Sequence, residues 1–206
     1  MRRVWWVVLC AALIGCSAKE EPPKKAAAKN DTPPDVFTVN LDTSKGKVVI
    51  EVHRDWAPIG VHHFYNLVQT GYYDGNRIYR VTQAYAQFGI NGDPAINNLW
   101  STTRIPGDPV KQSNVKGTVA FAQNGPGTRT TQLFFNLRDN KDLDKTFVPI
   151  GKVTSGMDVV DRFYSGYGDW PPRGHGPDPA KVQSQANAYL EAQFPRLDYI
   201  KKVTIQ

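Results

Sequence analysis

Gly117-Thr118-Val119-Ala120-Phe121-Ala122-Gln123-Asn124-Gly125-Pro126-Gly127-Thr128-Arg129-Thr130-Thr131-Gln132-Leu133-Phe134-Phe135-Asn136-Leu137 is the stretch that decides the fold class. Two short apolar runs, Thr118–Ala122 and Leu133–Leu137, flank a Gly-Pro-Gly turn. Runs of that length bounded by turn residues read as strands. Gly125-Pro126-Gly127-Thr128 also invites comparison with a phosphate cradle, but no lysine-and-helix pattern follows it. The turn reading is therefore preferred.

Outward from this pair the apolar period stays near two. Phe37, Val39 and Leu41 alternate, and Val48, Ile50 and Val52 alternate after Ser44-Lys45-Gly46, which predicts a hairpin. Ile78–Val81, Ala84–Gly89, Phe147–Val153 and Ile200–Ile205 complete eight short strands, a sandwich or closed-barrel pattern. Three helices interrupt them. Val61, Phe64, Tyr65 and Val68 follow helical spacing between Pro58 and Gly71. Met157–Tyr164 predicts a shorter helix. Asp178-Pro179 opens a third, with Val182, Ala186, Tyr189 and Leu190 on one face and Pro195 as its stop. The loops 91–114 and 166–177 are long and rich in Gly and Pro, a sign of functional or mobile segments.

The N-terminus differs in kind. Met1 to Arg3 is basic, Val4 to Ile14 is almost wholly apolar, and Gly15-Cys16 follows. This is a secretory signal pattern, too short to span a membrane as a helix. Leu13-Ile14-Gly15-Cys16 resembles a bacterial lipobox, which makes Cys16 the expected lipidation site; an ordinary signal peptide is the plainer alternative. Two acyl chains on Cys16 give stable anchoring where one does not. Residues 16–35 contain no large apolar side chain and are expected to form a flexible tether. The expected division is 1–15 signal peptide, 16–35 tether and 36–206 folded domain. Ser17, rather than an aspartate, follows Cys16, which leans towards the outer membrane of a bacterial envelope, facing the periplasm.

Charge and cysteine usage exclude several classes. The chain has 25 basic and 19 acidic residues, a formal charge of +6. Loss of residues 1–15 removes Arg2 and Arg3, leaving 23 − 19 = +4, spread along the chain. Nothing there suggests nucleic-acid binding. Cys10 lies in the discarded run and Cys16 would carry lipid, so the folded part has neither disulfide nor thiol chemistry. His62 and His63, adjacent on a helix, point about 100° apart and share a metal poorly. No HExxH and no Gly-x-Ser-x-Gly is present. No metal and no cofactor is therefore expected, and His62, His63, Trp100 and Trp170 read as structural. What remains is a set of polar and aromatic residues in strand-rich stretches: Arg80, Gln87, and Gln132 before Phe134.

These residues sit in motifs that, in order, resemble the cyclophilins. The matching pieces are DWAPIGVHHFYNLVQTGYYDGNRIYRV, QFGINGDP, GTVAFAQNGPGTRTTQLFFNL, LDKTFVPIGKV and GMDVVDRF, within a resemblance covering about residues 36–206. The resemblance implies a mainly β fold: a closed eight-stranded antiparallel barrel capped by two helices, with an extra C-terminal helix. It implies a peptidyl-prolyl cis–trans isomerase acting on proline-containing polypeptides as a monomer. The family's catalytic arginine matches Arg80. Gln87 matches the glutamine that orients it. Ala122, Gln123 and Asn124 match the substrate groove, where Gln123 stands in place of an asparagine and Asn124 in place of an alanine. Gln132 matches the glutamine before the phenylalanines. Phe134 matches the floor of the proline pocket, and Leu143 and Phe147 match its sides. The segment 82–86 departs from the usual Pro-Gly-Phe turn, leaving Tyr85 as the candidate aromatic wall. Asp142 aligns with the family's tryptophan, which implies weak cyclosporin binding. Two other readings stand beside the enzyme: a catalytically weak proline-peptide-binding lipoprotein, favoured by the altered 82–86 segment, and a structural envelope lipoprotein.

Overall fold

A computed structural model describes residues 31–206. Cys16, the signal peptide and residues 16–30 of the expected tether lie outside the described residues. The eight predicted strands are all present: β1 (Val36–Thr43), β2 (Gly46–His53), β3 (Arg80–Val81), β4 (Tyr85–Phe88), β5 (Thr118–Phe121), β6 (Leu133–Asn136), β7 (Pro149–Ser155) and β8 (Ile200–Ile205). β1 and β2 form the predicted hairpin, paired from Val36↔His53 to Thr43↔Gly46 across Ser44-Lys45. Asp35, expected at the end of the tether, is tied to the domain: its carbonyl accepts from the Arg54 N–H at 2.8 Å and its carboxylate pairs with the Arg54 guanidinium.

All pairings are antiparallel, in the order β3-β4-β6-β5-β7-β2-β1-β8. The sheet is open and curled, with β3 and β8 at its edges, where the sequence predicts a closed barrel. β3 is only two residues long, so no ladder continues from it to β8. The edges meet instead through the segment before β3. Ile78 N–H donates to the Asp198 carbonyl, Ile200 N–H to the Asn76 carbonyl, and Gly75 N–H to the Ile200 carbonyl, each at 2.8 Å. An isolated bridge, Arg77↔Tyr199, lies among them.

Alternation along the strands separates core from outer wall. Ala86, Phe88, Leu133, Phe135, Val119 and Phe121 point into one apolar core with Val39, Ile50 and Ile150. The intervening residues of β3, β4 and β6 face outward. α1 (Pro58–Gln69) packs near β8 and α3 (Met157–Asp161) near β2. α3 is shorter than predicted: its ladder ends at Arg162, and the Tyr164 N–H is taken by the Asp198 carboxylate. The third predicted helix is α4 (Pro179–Gln193), but it is kinked rather than continuous: Ala186 has a φ of +46° and the Asn187 N–H donates to the Gly92 carbonyl at 3.3 Å; Val182, Ala186, Tyr189 and Leu190 are buried. It has its own small core with Tyr79, Ile90 and Leu197.

One helix was not predicted. Within the loop 91–114, α2 runs over Pro94–Ser101, capped by Asp93, whose side chain accepts from the Ala95 N–H. α2 rests on α4. No helix among the described residues is long and apolar enough to cross a membrane.

Candidate active site

The register lays the site across three strands. Arg80 of β3 faces Gln87 of β4, and Gln87 faces Phe134 of β6. Two-residue alternation puts all three side chains on the outer wall, together with Tyr85. Gly89, just after β4, has a φ of +106°, and a Cβ there would collide with the Thr131 carbonyl oxygen. That close crossing brings Gln132 beside Gln87.

All ten residues singled out from the sequence line one cavity of about 220 Å³: Arg80, Tyr85, Gln87, Ala122, Gln123, Asn124, Gln132, Phe134, Leu143 and Phe147. Thr128 and Thr130 also line it; no sequence signal distinguishes them from other turn threonines. Its apolar end is an aromatic cup. The Phe134 ring lies 5.7 Å from Tyr85 and 5.4 Å from Phe147, the latter edge-on at 88°. Tyr85 lines the cavity at this end. Leu143 ends the 3-10 turn Lys141–Leu143, and Phe147 N–H donates to its carbonyl at 2.9 Å. Asn114 fastens this segment: its carbonyl accepts from the Asn140 N–H, its N–H donates to the Asp144 carboxylate, and its Nδ2 donates to the Asp144 carboxylate and the Phe147 carbonyl.

The polar end is a chain of hydrogen bonds with one consistent polarity. Arginine only donates. Arg80 Nη1 gives to Gln87 Oε1 at 3.0 Å, so Gln87 presents Nε2 to Gln132 Oε1, also at 3.0 Å. The same Oε1 accepts from the Tyr79 hydroxyl at 2.6 Å. Burial pushes the Tyr79 phenol far above its ordinary range, against the opposing pull of the Arg80 charge, so it remains a donor. Gln132 reaches Arg80 through Gln87.

Gln123, standing for an asparagine, donates through Nε2 to the Thr146 carbonyl. Its backbone N–H makes no hydrogen bond among the described residues. Asp142 is exposed and does not line the cavity. His63 is a core residue whose Nε2 lies 2.6 Å from the Thr130 carbonyl oxygen, and Trp100 is buried in the main core, as read from the sequence. No cluster of three or more His, Cys, Asp or Glu suited to a metal occurs among the described residues.

Trp170 was read as structural, and Asp169 was not singled out at all. The loop between α3 and α4 places both on Arg80. Asp169 Oδ1 accepts from Arg80 Nε at 2.8 Å, and the guanidinium carbon lies 3.5 Å from the centre of the Trp170 ring.

Comparison with known proteins agrees with the geometry. The family described as "Cyclophilin type peptidyl-prolyl cis-trans isomerase/CLD" matches residues 38–175. The chain is 35% identical over 131 residues to "Peptidyl-prolyl cis-trans isomerase-like 1" of Rhizopus delemar, covering 60% of this chain and 78% of that protein. It is 34% identical over 134 residues to "Peptidyl-prolyl cis-trans isomerase cyp18" of Streptomyces antibioticus, covering 60% and 81%. In fold it is similar to a Cryptosporidium parvum cyclophilin type isomerase solved in the presence of the dipeptide Ala-Pro, with a TM-score of 0.61, 18% identity, and coverage of 82% of this chain and 98% of that one. The chain belongs to the cyclophilin-type peptidyl-prolyl cis–trans isomerases. Its reaction is rotation about X–Pro peptide bonds.

Proposed function

We propose that this chain isomerises X–Pro bonds of exported polypeptides at a bacterial envelope, with Arg80 as its catalytic residue. The observation that carries the role of Arg80 is its place at the polar rim of an aromatic cup, where a proline ring and a charged donor would meet. The barrier to X–Pro rotation is amide resonance, about 18–20 kcal/mol. No bond breaks, so no nucleophile is needed. As the C–N bond twists, the proline nitrogen becomes pyramidal and gains a lone pair. A donor aimed at that pair binds the twisted state better than either planar isomer and so lowers the barrier.

In this reading Phe134, Phe147, Leu143 and Tyr85 hold the proline ring. The Gln123 N–H and the neighbouring Ala122 and Asn124 hold the peptide main chain, while the preceding carbonyl turns. Gln87 fixes the inner edge of the guanidinium, and Gln132 holds Gln87. The Ala-Pro dipeptide present with the Cryptosporidium protein supports a proline-containing peptide as the occupant here. The curled sheet acts as a barrel in this reading, with its seam between Gly75–Ile78 and Asp198–Ile200. Cys16 carries diacylglycerol, residues 1–15 are removed, and the domain faces the periplasm, at the outer membrane.

The test of Arg80 is turnover of a Xaa-Pro peptide by Arg80→Ala and Arg80→Lys. Arg80→Ala is expected to lower kcat/KM by about 10²–10³, the loss typical of one preorganised donor. Arg80→Lys should recover only part, because an ammonium lacks the planar fork. Near-wild-type turnover by a folded Arg80→Ala protein would sink the assignment and leave the weakly catalytic peptide-binding reading in its place.

A further inference from the structure

Arg80 is gripped from a side that lies outside the strands of the site. Gln87 holds Nη1 from β4, at 3.0 Å. Asp169 holds Nε from the α3–α4 loop, at 2.8 Å. Trp170 covers one face of the guanidinium, 3.5 Å from ring centre to guanidinium carbon. Two in-plane hydrogen bonds and one stacked face leave a planar group no rotation to make. The bonds to Asp169 and Gln87 use Nε and Nη1, the Tyr85 ring centre lies 4.8 Å from the guanidinium carbon, and Arg80 lines the cavity.

The loop is built to hold Asp169 in that place. Its Oδ1 also accepts from the Trp170 N–H at 2.8 Å, and its Oδ2 lies 3.0 Å from Arg173 Nε. Its carbonyl accepts from the Gly176 N–H at 2.8 Å. Gly174 packs so close that a Cβ there would sit 2.2 Å from the Asp169 carbonyl oxygen, so the chain folds back only with glycine. The end of the loop is fixed in turn by α4, where the Asp178 N–H donates to the Tyr189 hydroxyl at 3.1 Å.

We propose that Asp169 and Trp170 are positioning residues that hold the Arg80 guanidinium in its working orientation, with Nη2 left for the twisted prolyl nitrogen. This rests on the reading of Arg80 as the catalytic residue. A fixed donor stabilises the twisted state without first having to be ordered, so the contribution appears in turnover rather than in peptide affinity. The α3–α4 loop and α4 thereby become part of the machinery of this chain.

The experiment is a double-mutant cycle on the full chain, with kcat, peptide Kd and melting temperature read on each variant. Asp169→Ala and Trp170→Ala are each expected to lower kcat about tenfold, with Kd for a Xaa-Pro peptide within about twofold. Trp170→Phe should restore most of the loss by restoring a flat face. Asp169→Asn keeps an acceptor at Oδ1 and should fall between wild type and Asp169→Ala; it decides the matter if the alanine variant does not fold. In the Arg80→Ala background, Asp169→Ala should slow turnover no further. The proposal is overturned if folded Asp169→Ala (or folded Asp169→Asn, where the alanine variant does not fold) turns over at or above the wild-type rate. It is equally overturned if the loss repeats in full without Arg80. A fully active Arg80→Ala is a separate outcome, which removes the catalytic reading itself.

Discussion

Arg80 keeps a permanent charge at 9% exposure, and its surroundings explain how. A buried charge must be paired and hydrogen-bonded, and Asp169 and Gln87 do both. Asp169 responds in kind. Burial raises its carboxyl, but the hydrogen bonds from Arg80 and the Trp170 N–H and the charges of Arg80 and Arg173 outweigh this, leaving it below its ordinary 3.8. The groups around this pair are Arg80 from β3, Arg173 from the same loop, and Tyr85 of β4, whose ring centre lies 4.8 Å from the Arg80 guanidinium carbon. A depressed carboxyl contributes stability that is complete above its unfolded value and is lost as the pH falls through its folded value. The melting-temperature gap between wild type and Asp169→Ala should therefore stay constant from about pH 7 to about pH 5 and close only below 3.8. A gap that closes between pH 7 and 5 would show that this carboxylate is not the group responsible. Ten members of the cavity are legible because the motifs that resemble the cyclophilins carry them residue by residue; alternation by itself fixes only the outward face of Arg80, Tyr85, Gln87 and Phe134. Sequence reasoning missed Asp169 because 89 residues separate it from Arg80 and its loop has no period from which a direction could be read.

α1 begins without a side-chain cap of its own, since Ala57 has no acceptor to offer. The cap comes from Asp108, which accepts from the Ile59 N–H at 2.8 Å and the Gly60 N–H at 2.9 Å. Arg129 closes the arrangement with Nη2 at 2.9 Å, the two side chains being 0% and 3% exposed. Asp108→Ala thus removes a helix cap and strands a buried guanidinium, which should cost about 3–5 kcal/mol. Chemical denaturation checks this; a loss below about 1 kcal/mol would mean that water replaces the carboxylate. The main elements were legible because Pro58, Pro179 and the period-two runs act locally. This cap was not, since Asp108 lies 49 residues from Ile59. α2 is a different case. Asp93-Pro94 is the same opening signal as Asp178-Pro179, and the density of Gly and Pro around it masked one short helix between two irregular stretches. Closure of the sheet was overestimated for a physical reason too: periodicity counts strands, whereas the seam depends on how far a two-residue β3 can pair.

At the scale of the whole molecule, the site and the proposed anchor are separate parts. The first strand starts at Val36, and Asp35 is already fastened to Arg54. Between Cys16 and Asp35 there are 20 residues, counting both ends, a chain that can reach at most about 70 Å when extended. That exceeds the dimensions of a domain of this size, about 30–40 Å across, so an anchored domain can present its groove to clients without the membrane blocking it. Among the described residues, the lining of the cavity begins at Arg80. Anchoring and turnover should then be separable by one substitution. Cys16→Ser removes the thiol that would take up diacylglycerol, and with it the two acyl chains needed for stable membrane residence. The expected result is loss of the protein from the membrane fraction, in a soluble or unprocessed form, with kcat/KM on a soluble Xaa-Pro peptide within about twofold of wild type. Turnover in a refolding client tethered to the same membrane should fall instead, because the effective concentration that the shared surface provides is gone. A membrane pool unchanged by Cys16→Ser would remove the lipid anchor from the account, while leaving the isomerase domain and the role of Arg80 untouched.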